Sequence, residues 1–154
     1  MFFETIYRWF TFLFGGDLAD YLSGYVCPSE ETEGGYLAHN QFVMYGFIAL
    51  GIALACVLLY YYVINHPRFN SRWSWLLVLF VVGLADFFVG SGMTHSDLLA
   101  GNMEDCLLNG ANGGIDNFHC RMFGLVDFFV SVIFFIIFSI GLKWWSPSCK
   151  RTPF

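Results

Sequence analysis

Three apolar runs constrain this chain more than anything else in it. Residues 42–64 carry no Asp, Glu, Lys or Arg; residues 73–92 carry only Asp86; residues 122–142 carry only Asp127. A bilayer core of about 30 Å is crossed by roughly 20 apolar helical residues at ~1.5 Å each. In lipid, a helix satisfies its own backbone hydrogen bonds, so helix is the form such runs take. The expectation is an all-α integral membrane protein with three transmembrane helices, TM1 42–64, TM2 73–92 and TM3 122–142. Asn65-His66-Pro67 closes the first run, because proline does not continue a helix. Trp73, Trp75, Trp144, Trp145 and Tyr60 to Tyr62 lie near the run ends, as interfacial aromatic belts do.

Composition agrees. Hydrophobic residues make up 57% and charged residues 12% of the 154, too little polar surface to cover a water-soluble core. Seven Lys+Arg stand against twelve Asp+Glu, so no basic patch for nucleic acid exists and no nucleic-acid partner is expected. The chain reads as one membrane domain over 1–154, with the lipid bilayer as its first partner.

The basic residues set the expected orientation. Arg68 and Arg72 lie in 65–72, and Lys143, Lys150 and Arg151 lie in 143–154; together they are five of the seven. The positive-inside rule makes both segments cytoplasmic, in a plasma or inner membrane. Residues 1–41 and the loop 93–121 are then outside. They carry the acids Glu30, Glu31, Glu33, Asp97, Glu104, Asp105 and Asp116.

Within 2–14, Phe2, Phe3, Ile6, Trp9, Phe10, Leu13 and Phe14 recur at helical spacing, opposite Glu4, Arg8 and Thr11. Such a segment is too short to span and reads as an amphipathic interfacial helix in the outer leaflet. Two alternatives stand beside it. A signal peptide would need a basic start and a small-residue cleavage site, which this stretch lacks. A fourth crossing over 2–25 would place Asp17 and Asp20 in the bilayer at about 2.5–3.5 kcal/mol each. In the loop, Asn109 to Gly114 is turn chemistry, and Thr94–Leu108 allows a short helix capped by Thr94 or Ser96.

Two octapeptides match at six of eight positions: Gly83-Leu84-Ala85-Asp86-Phe87-Phe88-Val89-Gly90 and Gly124-Leu125-Val126-Asp127-Phe128-Phe129-Val130-Ser131. The residues three before and four after each aspartate share its helical face. Those are Gly83 and Gly90, then Gly124 and Ser131, all small enough to admit another helix. An intramembrane carboxyl is a functional-site hypothesis, and two in low dielectric do not both ionise readily. The pair is read either as packing glue or as part of an ion or proton pathway. A further small face, Gly46, Ala49, Ala53 and Cys56, serves either an oligomer interface or packing within the chain.

Cys56 falls within TM1 and Cys149 in the cytoplasmic tail. Cys27, Cys106 and Cys120 all fall outside, where a disulfide can form. Cys106–Cys120 is the first expectation, with Cys27 to either as the alternatives. His95 with Asp97, and His119 with Asp116 and Cys120, match no closed zinc spacing; His39 and His66 flank TM1. No span contains the internal histidines a haem pair needs, and no phosphate-loop, H-E-x-x-H or G-x-S-x-G motif occurs. No catalytic residue, metal or cofactor is expected. The first functional expectation is a structural or assembly subunit, contacting copies of itself or other membrane subunits in a secretion, transport or envelope machine. The alternative is a homo-oligomeric ion or proton channel using Asp86 and Asp127, and a membrane-embedded enzyme comes third.

Overall fold

The computed structural model describes residues 2–28, 34–36, 40–63, 72–110 and 114–143. Glu30, Glu31, Glu33, His39, His66, Arg68, Trp144, Trp145, Cys149, Lys150 and Arg151, and with them most of the basic segments, lie outside the described residues.

The protein is mostly helical, and three long apolar helices able to cross a membrane pack together. In chain order the elements are α1 (Phe2–Arg8), α2 (Thr11–Phe14), α3 (Gly16–Ser23), β1 (Tyr25–Val26), β2 (Gly35–Tyr36), α4 (Gln41–Leu58), a π-helical turn Leu59–Val63, α5 (Arg72–Leu99), α6 (Asp105–Leu108) and α7 (Asn117–Lys143). β1 and β2 pair antiparallel, Tyr25 opposite Tyr36. α4 with its π turn, α5 and α7 are the three expected spans. α5 runs on past Gly92 through Thr94 to Leu99, and α7 begins at Asn117, so the loop between them is shorter than 93–121. Asp116 starts α7 by accepting the backbone N–H groups of Phe118 at 2.9 Å and His119 at 3.1 Å. A carboxylate there also suits the positive end of the helix dipole.

α5 and α7 run antiparallel in close contact. Phe80 meets Phe128, and at one end Trp75 meets Phe135 and donates its indole N–H to the Ser139 hydroxyl at 3.0 Å. Tyr61 shares the same hydroxyl at 2.7 Å. Tyr60 and Tyr61 are buried, so they are internal side chains and not members of an exposed belt; Trp73 alone of the described ring set is openly exposed. The opposite end of the bundle carries α3, the β pair and α6.

The N-terminal segment is amphipathic and helical, broken between Arg8 and Thr11. Its contacts place it along α7: Phe3 meets Phe134, Tyr7 meets Asp127, Phe14 meets Phe123, and Gly15 lies against His119. His119 to Phe134 is about 22 Å of helix. Gly15 makes the turn from α2 into α3 at φ 86°, a left-handed value, and a Cβ there would also lie 3.0 Å from the His119 ring. Glycine is the residue that meets both demands.

The core is aromatic at this level. Tyr7 stacks on Phe42 at 5.5 Å, and Phe123 receives Tyr7, Phe14 and Tyr45, the last edge-on at 4.9 Å. Between this level and the Trp75 end the interior has an aliphatic band, with Ala53, Val57, Val82 and Val130 buried, before Tyr61 and Phe135 close it.

Candidate functional site

The two matched octapeptides face each other across the α5–α7 seam. Gly90 sits against the Asp127 carboxyl, where a Cβ would lie 3.0 Å from Oδ2. One turn deeper, Ser131 faces Asp86. In each case an aspartate meets the last residue of the other octapeptide, as an antiparallel pair of near-identical segments would arrange it. Gly124 lets α5 come close enough that a Cβ would stand 2.7 Å from the Phe87 carbonyl oxygen, and at Gly83 it would stand 2.5 Å from the Phe128 ring. The six residues singled out by the repeat are therefore one contiguous structural feature.

Asp86, Asp127 and Ser131 are fully buried. Asp127 accepts the Tyr7 hydroxyl on Oδ1, leaving Oδ2 without a partner among the described residues. Burial pushes the Tyr7 phenol well above its usual range, and the neighbouring Asp127 adds to the shift, so Tyr7 stays a neutral donor. Ser131 donates to the Phe128 carbonyl at 2.9 Å, and neither carboxyl oxygen of Asp86 has a hydrogen-bond partner among the described residues. Asp86 lies close enough to Asp127 and Tyr7 to act on both electrostatically. The arrangement is an interior carboxyl pair with one hydroxyl donor and three unpartnered oxygens. Groups of that kind can hold and pass a proton or ligate a small cation.

Polar groups continue from this pair toward the α6 end. Tyr45, buried and with its hydroxyl unpartnered among the described residues, lies between Asp127 on one side and Tyr21 and Asp97 on the other. Tyr21 lies near Gln41 and Asp97, and its phenol is raised by burial. Toward the Trp75 end, Val82, Val57, Ala53 and Val130 follow instead.

Tyr7 is the site residue that sequence reasoning missed. It shares a helical face with Phe3, which packs on Gly46 so closely that a Cβ there would lie 2.2 Å from the ring. A hydroxyl-bearing aromatic among apolar neighbours was the available signal. Asp17 was missed too: it is buried and accepts the Gly114 N–H at 3.1 Å, so its cost is offset locally.

The small face of α4 is used within the chain. Gly46, Ala49 and Ala53 are buried and Cys56 is half-buried. The disulfide is Cys27–Cys106, with Cα atoms 6.3 Å apart, and not the first-expected Cys106–Cys120. Cys120 lies in the first turn of α7, buried as a free thiol beside Thr94, while Cys106 sits exposed on α6. His119 has Nδ1 2.8 Å from Asp116, on the residue that caps α7. The hydrogen bonds Asp116 accepts hold its carboxyl below the usual range. Among the described residues, His95, Asp97, His119 and Cys120 form no metal-binding group.

No protein-family model matches the chain, and no curated protein and no solved structure matches it either.

Proposed function

We propose that this chain handles protons or small cations within the bilayer through Asp86 and Asp127. The observation that carries the reading is Asp86, wholly buried with both oxygens unpartnered beside a second buried carboxyl. A carboxyl kept only as helix glue gains its stabilisation from hydrogen bonds, and Asp86 makes none with the described residues. In this reading the ion arrives from the α6 end past Asp97, Tyr21 and Tyr45, which faces the outside. Residues 65–72 and 143–154 face the cytoplasm, by the positive-inside rule. Val57, Val82 and Val130 form the barrier beyond the pair, and Tyr7 holds Asp127 in place.

The test is flux into dye-loaded proteoliposomes under a pH or sodium gradient, for the wild type, Asp86→Asn and Asp127→Asn. Transport by the wild type that falls in both variants supports the reading. Wild-type flux at the level of protein-free vesicles overturns it.

A structural or assembly subunit is the second reading. It is favoured by one face of α4, where Phe47, Gly51, Ala55 and Leu58 recur uncovered at helical spacing. A small-residue groove of this kind suits another membrane helix, from a second copy or a larger partner. Recovery of a stoichiometric complex after mild detergent extraction supports this reading, and a strictly monomeric particle argues against it.

A further inference from the structure

At the α6 end a second cluster plays no part in the acid pair. Cys27 follows β1, Cys106 lies on α6, and Glu104 immediately precedes α6. One ligand atom from each, two Sγ and a carboxylate oxygen, all lie within 4.8 Å of one another. The sulfurs form the disulfide. Glu104 Oε2 accepts the Cys27 backbone N–H at 2.6 Å, which fixes the carboxylate beside the two sulfurs. A disulfide needs no carboxylate next to it, whereas two thiolates and a carboxylate are a donor set for a borderline divalent ion.

Two thiolates about 2.3 Å from one tetrahedral zinc ion sit roughly 3.8 Å apart, a separation that side-chain rotation gives once the bond is cut, with the Cα atoms 6.3 Å apart. The same two segments can therefore be joined by a bond or by an ion. We propose that, when reduced, Cys27, Cys106 and Glu104 bind one zinc-class divalent cation, so that disulfide and metal are alternative clamps between the N-terminal segment and α6. Reduction by a thiol or phosphine breaks the S–S bond, takes up two electrons and two protons, and leaves two thiols. Metal binding then releases both thiol protons. The three protein ligands leave one tetrahedral position to water. An oxidising compartment favours the covalent clamp and a reducing one the metal.

The experiment uses the full chain in detergent, reduced with a phosphine and titrated with Co²⁺. A thiolate-to-cobalt charge-transfer band saturating at one equivalent and bleached by Zn²⁺ is expected. The band should persist in a Cys56→Ser, Cys120→Ser, Cys149→Ser variant, vanish in Cys106→Ser, and require about tenfold more Co²⁺ or beyond in Glu104→Gln. A parallel measurement on unfractionated membranes guards against misfolding: Zn²⁺ should protect Cys27 and Cys106 of the reduced wild type from maleimide. The proposal is overturned by absence of the band, by its survival in Cys106→Ser, by equal affinity in Glu104→Gln, or by no protection in membranes. None of these readouts depends on ion flux, so the result is separate from the proposed transport.

Discussion

The two octapeptides share six residues and meet across one seam, yet their aspartates have different surroundings. Asp127 turns Oδ2 toward Gly90 and accepts the Tyr7 hydroxyl from the N-terminal segment on Oδ1. Asp86 faces Ser131, whose hydroxyl is turned to its own helix. One carboxyl is thus tied to a distant part of the chain and the other is left unsatisfied. The difference separates two roles that look identical in the letters: Asp127 anchors the N-terminal segment through one oxygen, and Asp86 has neither oxygen engaged among the described residues.

The largest effect should come from the closeness that brings the two segments together. Gly124→Val places a Cβ against the Phe87 carbonyl and the Ser91 backbone, atoms that yield only if α5 moves. Loss of about 3 kcal/mol is expected, read as a lowered thermal midpoint in detergent. Gly92, also on α5, is exposed with nothing near its missing Cβ. Gly92→Ala should leave the midpoint unchanged or raise it. Equal loss in both variants would show that the seam is not tightly packed.

Next comes the tie itself. Tyr7→Phe keeps the ring stacked on Phe42 and Phe123 but removes the donor to Asp127. A buried acceptor left without its partner costs about 1–3 kcal/mol. A double-mutant cycle with Asp127→Leu, which removes the acceptor, should give a coupling above about 0.5 kcal/mol. Additive losses would mean that Tyr7 and Asp127 do not act as a pair.

Asp86 should respond with the opposite sign. Asp86→Val removes a buried carboxyl that has no hydrogen bond to lose, and such replacements are often neutral or stabilising, here by about 1 kcal/mol. A rise or no change in the melting midpoint, together with loss of flux, would separate Asp86 from Asp127 as a functional rather than a structural group. A fall as large as that of Tyr7→Phe would erase the distinction.

The spans were legible because lipid leaves few choices: apolar length alone located α4, α5 and α7. The facing of the octapeptides was half legible. Helical spacing put Gly83, Asp86 and Gly90 on one face, and Gly124, Asp127 and Ser131 on another, but which face meets which depends on packing. Tyr7 could not be placed from periodicity, because the pattern of 2–14 suits a helix on a membrane surface as well as one laid along α7. The disulfide was open for a similar reason. Cys106 and Cys120 are close in sequence, but one lies on α6 and the other faces inward from α7, so Cys27 is the partner within reach.

The smallest expected effect extends the comparison to a carboxylate in water. Asp116 is exposed, caps α7, and has its carboxyl held below the usual range first by its hydrogen bond to the His119 backbone N–H. A depressed value in the folded state means that the stabilisation is complete above the ordinary carboxylate pKa of about 3.9. It is lost as pH falls through the lower folded value. Asparagine caps a helix nearly as well as aspartate, so Asp116→Asn isolates the charge, worth about 0.3–1 kcal/mol at a helix start and less in salt. The melting midpoints of wild type and Asp116→Asn should differ slightly at neutral pH and converge as pH falls below the usual carboxylate range. The same pair of melts on Asp127→Leu should show a larger gap at neutral pH, because the Tyr7 hydroxyl then loses its buried acceptor. If the exposed cap proved the costlier loss, burial would not be what distinguishes the two sites, and the assignment of Asp127 as the anchor of the N-terminal segment would fall with it.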